Sequence, residues 1–131
     1  MARCLALIVV ALLSGCSHLP PHDPAQAWIN IYSFADNQLL ADQVDGQPWA
    51  AGDYFQLTPG SHSLGLNFQY WTDAGYGREP LAQSCDFSLS YEGFRADKEY
   101  QLVAGWNPDG AWLRLLDERG DQLAYETCGS F

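Results

Sequence analysis

The sequence predicts an all-β protein: a single antiparallel β-sandwich of seven or eight short strands, preceded by a lipoprotein signal peptide and a Pro-rich tether. Three observations carry this reading. Apolar and polar residues alternate with period two in segment after segment. The most regular case is Leu64, Leu66, Phe68 and Tyr70 interleaved with Gly65, Asn67 and Gln69, the pattern of a half-buried strand. Turn signals at Asp45-Gly46, Pro59-Gly60, Pro108-Asp109-Gly110 and Arg119-Gly120 separate these segments, at roughly the eight-to-twelve-residue spacing of a sandwich. No segment of the folded part carries a convincing helical period. A small closed barrel is the other architecture the pattern allows, and no internal repeat is present.

The leader comes first in the chain. Met1-Ala2-Arg3 supplies a positive charge, and Leu5 to Leu13 is an apolar run of nine residues. That is too short to span a bilayer and suits the apolar region of a signal peptide. It ends in Leu13-Ser14-Gly15-Cys16, which resembles the bacterial lipobox. The resemblance implies cleavage before Cys16 and acylation of its thiol, so residues 1–15 are a signal peptide. Ser17 is similar to the residue that accompanies outer-membrane destination in enteric lipoproteins. The expected location is therefore the bacterial outer membrane, lipid-anchored and facing the periplasm.

Removal of the leader leaves 116 of 131 residues, enough for one domain with its own core. All the aromatic residues, 6 Phe, 5 Trp and 7 Tyr, lie in that part. Six basic side chains less Arg3 leave five against sixteen acidic ones, a net charge of −11. Five scattered cations cannot build the basic face that nucleic acid requires, so no nucleic-acid partner is expected. Attraction to anionic lipid by net charge is not expected, on the same ground.

Residues 16–26 read as lipidated Cys plus tether. Ser17 to Ala25 holds three prolines and no periodicity, which predicts an extended, polyproline-like segment. His18 and His22 are four apart, but Pro20, Pro21 and Pro24 deny the helix that would bring them to one metal. They are expected to be solvated.

The domain spans 27–131. Trp28 to Phe34 alternates and is rich in β-formers. Ala35-Asp36-Asn37 is a turn, Leu39 to Val44 a second strand, and Asp45-Gly46 a hairpin turn because both positions tolerate positive φ. Gln47 to Asp53 is a weak edge segment, since Pro48 cannot donate to a ladder. Tyr54 to Leu57 leads through Thr58-Pro59-Gly60-Ser61 into the strand His62 to Tyr70. Trp71 to Ala82 is a long aperiodic loop with two glycines. From Gln83 to Tyr91, Cys85, Phe87, Leu89 and Tyr91 share one face. On the next strand Tyr100, Leu102, Ala104 and Trp106 do so. Ala111 to Leu116 and Asp121 to Cys128 complete two closing hairpins.

Asp45-Gly46, then Leu57-Thr58-Pro59-Gly60-Ser61-His62-Ser63-Leu64-Gly65-Leu66, then Phe94-Arg95-Ala96 through Tyr100-Gln101-Leu102 resemble the PEGA-type module of small bacterial envelope lipoproteins. The resemblance covers roughly residues 28 to 106 and lacks the PEGA tetrapeptide. It implies a transthyretin-like or immunoglobulin-like sandwich of non-catalytic use.

Chemistry is sparse. Cys85 and Cys128 are the cysteines of the domain, and an exported chain is expected to pair them. Neither is part of a C-x-x-C redox motif. His62 lacks histidine or cysteine partners for a metal and a recognisable nucleophile to serve, so it reads as a structural residue. Asp117, Glu118 and Asp121 lack the ligand spacing of a Ca²⁺ loop. No cofactor and no metal are expected. Trp28, Trp106 and Trp112 lie in strands and are expected in the core or between sheets. Trp49 and Trp71 flank irregular segments and with Tyr76 could form an exposed platform for sugar or peptide. The candidate binding loop is Trp71, Tyr76 and Arg78, because Trp, Tyr and Arg dominate binding hot spots. The bland alternative is a lid, with Trp71 and Tyr76 plugging the open end of the sandwich. The functional expectation is a non-enzymatic accessory lipoprotein that binds an envelope protein or a glycan. Its competitor is a small cell-wall hydrolase using two carboxylates.

Overall fold

The computed structural model of the chain describes residues 20–73, 75 and 77–128. These form nine strands and no helix: β1 (Ala27–Ser33), β2 (Gln38–Val44), β3 (Gln47–Pro48), β4 (Tyr54–Leu57), β5 (Gly60–Thr72), β6 (Leu81–Phe94), β7 (Glu99–Asn107), β8 (Gly110–Leu116) and β9 (Gln122–Thr127). A five-stranded sheet, ordered β4-β1-β7-β8-β9, packs on a four-stranded one, ordered β3-β2-β5-β6. The fold is the expected all-β sandwich. All strand pairs are antiparallel except β1–β7, which runs parallel from Trp28↔Glu99 to Ser33↔Ala104.

Alternation decides the core. Leu64, Leu66 and Phe68 of β5 lie beside Leu89, Phe87 and Cys85 of its neighbour β6 and face Leu102, Ala104, Leu113 and Leu115 of the other sheet, all buried in one cluster. No buried polar or charged side chain occurs among the described residues. The Asp45-Gly46 turn has positive φ at both positions, 51° and 80°, as a type I′ hairpin requires. β3, with Pro48, is an edge of two residues.

Four expectations are corrected. β5 and β6 are longer than the pattern suggested and pair as far as Thr72↔Leu81, so the connection shrinks to residues 73–80 and Trp71 is a strand residue. Trp28 is 2 % exposed yet lies outside the core cluster. Ala27 and Ile29 take the inner face, which turns Trp28 outward. Trp112 is likewise turned out by Ala111 and Leu113, and its indole lies over Gly105, where an added Cβ would stand 2.8 Å from Trp112 Cε2. Trp49 packs against Phe55 and donates from Nε1 to the Tyr54 carbonyl at 2.7 Å, so it forms no exposed platform.

The tether ends earlier than the sequence suggested, and His22 is not a freely solvated ring. His22 stacks on Trp28 with ring centroids 3.8 Å apart and pairs with Glu99 at 3.0 Å. The Asp23 amide donates to Gln56 Oε1. Trp28 is thus sandwiched between His22 and Tyr54, whose ring stacks on it at 4.5 Å. Residues 22–26 close over the outer face of the five-stranded sheet.

Candidate functional site

One end of the sandwich gathers exposed aromatics. β5 carries Trp71 past the last core residue of its strand, and the indole is 53 % exposed. β7 does the same with Trp106, 39 % exposed. Trp106 lies on the same strand face as Leu102 and Ala104, so its parity was legible, but it projects beyond the end of the core. The parallel β1–β7 register sets the turn after β1 beside it. Trp71, Trp106, Asp36, Asn37, Asp73 and Pro80 line an open cleft of about 380 Å³. A second hollow of about 390 Å³ shares Trp71, Asp36 and Pro80 and adds Glu79.

Packing from below fixes this geometry. Tyr70 stacks on Phe68 at 4.9 Å and on Trp106 at 5.9 Å, tying the two sheets together under the cleft. Asp36 holds a left-handed φ of 70°, tolerated by Asp in tight turns; the turn closes through the Asn37 amide and the Phe34 carbonyl. The Asp73 carboxylate accepts from the Gly75 amide at 3.0 Å. The cleft therefore offers two indole faces, exposed carboxylates and an amide. That is equipment for binding polar ligands with apolar faces.

Of the sequence candidates, Trp71 is in the cleft and does not plug the core. Arg78 is exposed, its amide donating to the Gly75 carbonyl, and lines neither hollow. Tyr76 and Cys16 lie outside the described residues. Trp106, Asp36 and Asn37 were not singled out as a site. No sequence signal joins them, because only the sheet order brings the two turns together.

Cys85 and Cys128 form a disulfide, Cα–Cα 6.1 Å, joining the edge strand β6 to the chain just beyond β9. His62 is structural in its contacts. Its Nε2 donates to the Thr58 carbonyl at 2.7 Å, and its Nδ1 lies 2.6 Å from Asp45 Oδ2. Asp45 Oδ1 accepts from the Ser63 amide at 2.8 Å. That amide, and then the His62 ring, hold the Asp45 carboxyl below its ordinary value of 3.8. A hollow of about 550 Å³ lies at the opposite end, where the docked residues 22–26 meet Glu99, Asp117 and Glu118.

No protein-family model, curated protein or solved structure matches the chain.

Proposed function

We propose that this chain is a lipid-anchored accessory protein of the bacterial envelope that binds a glycan, without catalysis, in the cleft between Trp71 and Trp106. The carrying observation is that two sheets each deliver one exposed tryptophan to a single cleft. Exposing an indole forgoes burial free energy of about 1.5–3 kcal/mol, so a pair in one cleft favours a partner. Indole faces suit the C–H faces of a sugar, while Asp36, Asn37 and Asp73 can accept from or donate to its hydroxyls. The lipobox-like Leu13 to Cys16 supports the anchor and the outer-membrane location. The PEGA-like likeness gains a physical sense, since its Asp45, Thr58 and His62 form one hydrogen-bonded unit that braces two turns.

Titration of the protein with soluble cell-wall oligosaccharides, followed by tryptophan fluorescence, tests the proposal. Trp71→Ala and Trp106→Ala should each weaken binding at least tenfold, about 1.4 kcal/mol, while Trp71→Ala leaves stability within about 0.5 kcal/mol. Absence of any saccharide response, with crosslinking from position 71 capturing an envelope protein instead, would replace the glycan by a protein partner. Glycan release accompanied by new reducing ends would favour the hydrolase.

A further inference from the structure

A second exposed aromatic surface lies on the outer face of the five-stranded sheet. Tyr32, Phe34 and Tyr125 are 44–50 % exposed. Tyr32 pairs with Val103, Val103 with Arg114, and Arg114 with Tyr125, in one row across β1, β7, β8 and β9. The next row holds Trp112 over Gly105. Arg114 Cζ stands 4.7 Å over the Trp112 ring and 5.9 Å from that of Tyr125. Aromatic rings around one arginine are the composition found at the headgroup level of a bilayer.

The docked tether says what covers this surface. His22 stacks on Trp28, which belongs to the same outer face. Residues 17–21 alone separate it from Cys16, a reach of at most roughly 20 Å when fully extended. An acyl anchor at Cys16 therefore keeps the lipid surface close to this sheet. Charge then chooses the part of this face that can meet lipid, since Glu99 stands on it opposite Trp28 and paired with His22. Asp97, Glu99, Asp117 and Glu118 crowd the end where the tether enters, and burying carboxylates at a bilayer is unfavourable. The aromatic rows carry no acidic side chain.

We propose that this outer face rests on the phospholipid surface, with Tyr32, Phe34, Trp112 and Tyr125 at the headgroup level and Arg114 against lipid phosphate. The inference rests on the lipid-anchored reading above.

The full lipidated chain, reconstituted in vesicles of phosphatidylethanolamine and phosphatidylglycerol with shallow-brominated acyl chains, tests it through tryptophan quenching. Trp112→Phe should remove at least half of the quenching, and Trp71→Phe should leave it unchanged. Tyr32→Ser with Phe34→Ser, both at exposed positions, should lower quenching at least twofold without altering the melting temperature. Equal quenching in Trp112→Phe and wild type, with the protein floating with the vesicles, overturns the orientation. Retention on sedimented cell-wall sacculi through these aromatics, without vesicle quenching, also overturns it and makes the face a glycan platform. A chain that does not float with the vesicles at all defeats the anchor reading, and the orientation falls with it.

Discussion

The Asp45 carboxylate serves two turns at once. One oxygen takes the Ser63 amide and the other meets the His62 ring, whose far nitrogen holds the Thr58 carbonyl. Because the folded carboxyl titrates below its ordinary value, its stabilisation is present above that value and is lost as pH falls through the folded one. Asp45→Asn keeps a residue that tolerates positive φ but removes the charge. Its melting temperature should lie below that of wild type at neutral pH. The gap should narrow as pH drops below about 4, and a gap independent of pH would show that the charge is not what matters. At this scale the sequence was readable where strand faces are chemically unequal. Leu64, Leu66 and Phe68 against Gly65, Asn67 and Gln69 leave no choice of inner face. Trp28 and Trp112 defeated the same logic because a large indole on a mixed face, beside Asn30 or Arg114, reads as core by size and as surface by its neighbours. Periodicity alone cannot say that an outward indole is covered, by the tether at Trp28 or by an arginine at Trp112.

Among the elements, β6 and β9 are the two edges that meet on one side of the sandwich. β9 pairs with β8 alone, and its second fastening is the disulfide from Cys85 to Cys128. A crosslink closing a loop of this length contributes about 2–4 kcal/mol, mainly by restricting the unfolded chain. Cys128→Ser should lower the unfolding free energy by that amount in urea titrations, and hydrogen exchange should rise in β9 before β5. Equal exchange in both would mean that the strand is held by packing alone. The pairing was legible because the domain holds two cysteines, each with one possible partner. Strand existence and turn positions were legible too. The extent of β5 and β6 was not, since Trp71, Thr72 and Leu81 continue a ladder through residues whose pattern reads as loop. Hence the cleft was half visible: Trp71 was singled out, but Trp106 and Asp36 needed the parallel β1–β7 pairing, a contact far apart in sequence.

For the molecule as a whole, the docked residues 22–26 form part of the fold rather than a spacer. They cover the outer face of Trp28, which their removal would open to water. A chain beginning at Ala27 should therefore be less stable than one beginning at Pro20 by about 1–2 kcal/mol, from lost burial and stacking. It should also show a red-shifted tryptophan emission. Equal stability of the two would mean that His22 and Asp23 merely touch the sheet. Fold class and acidity were readable from composition and alternation, which depend on local sequence. The docking of the tether was not, because prolines announce an extended backbone without saying what it lies against.

The position of β1 gives the protein a mechanical character. The N-terminal segment enters β1 at Ala27, and the cleft is built just past Ser33, where β1 ends. Under the proposed function, tension between a ligand in the cleft and a lipid anchor would run along the strand axis. β1 is flanked on both sides, by four paired positions with β4 and six with β7. Their hydrogen bonds lie across the line of pull, so they are loaded together in shear and do not unzip one after another. A strand held this way is expected to yield in one step at high force and to carry steady strain below it.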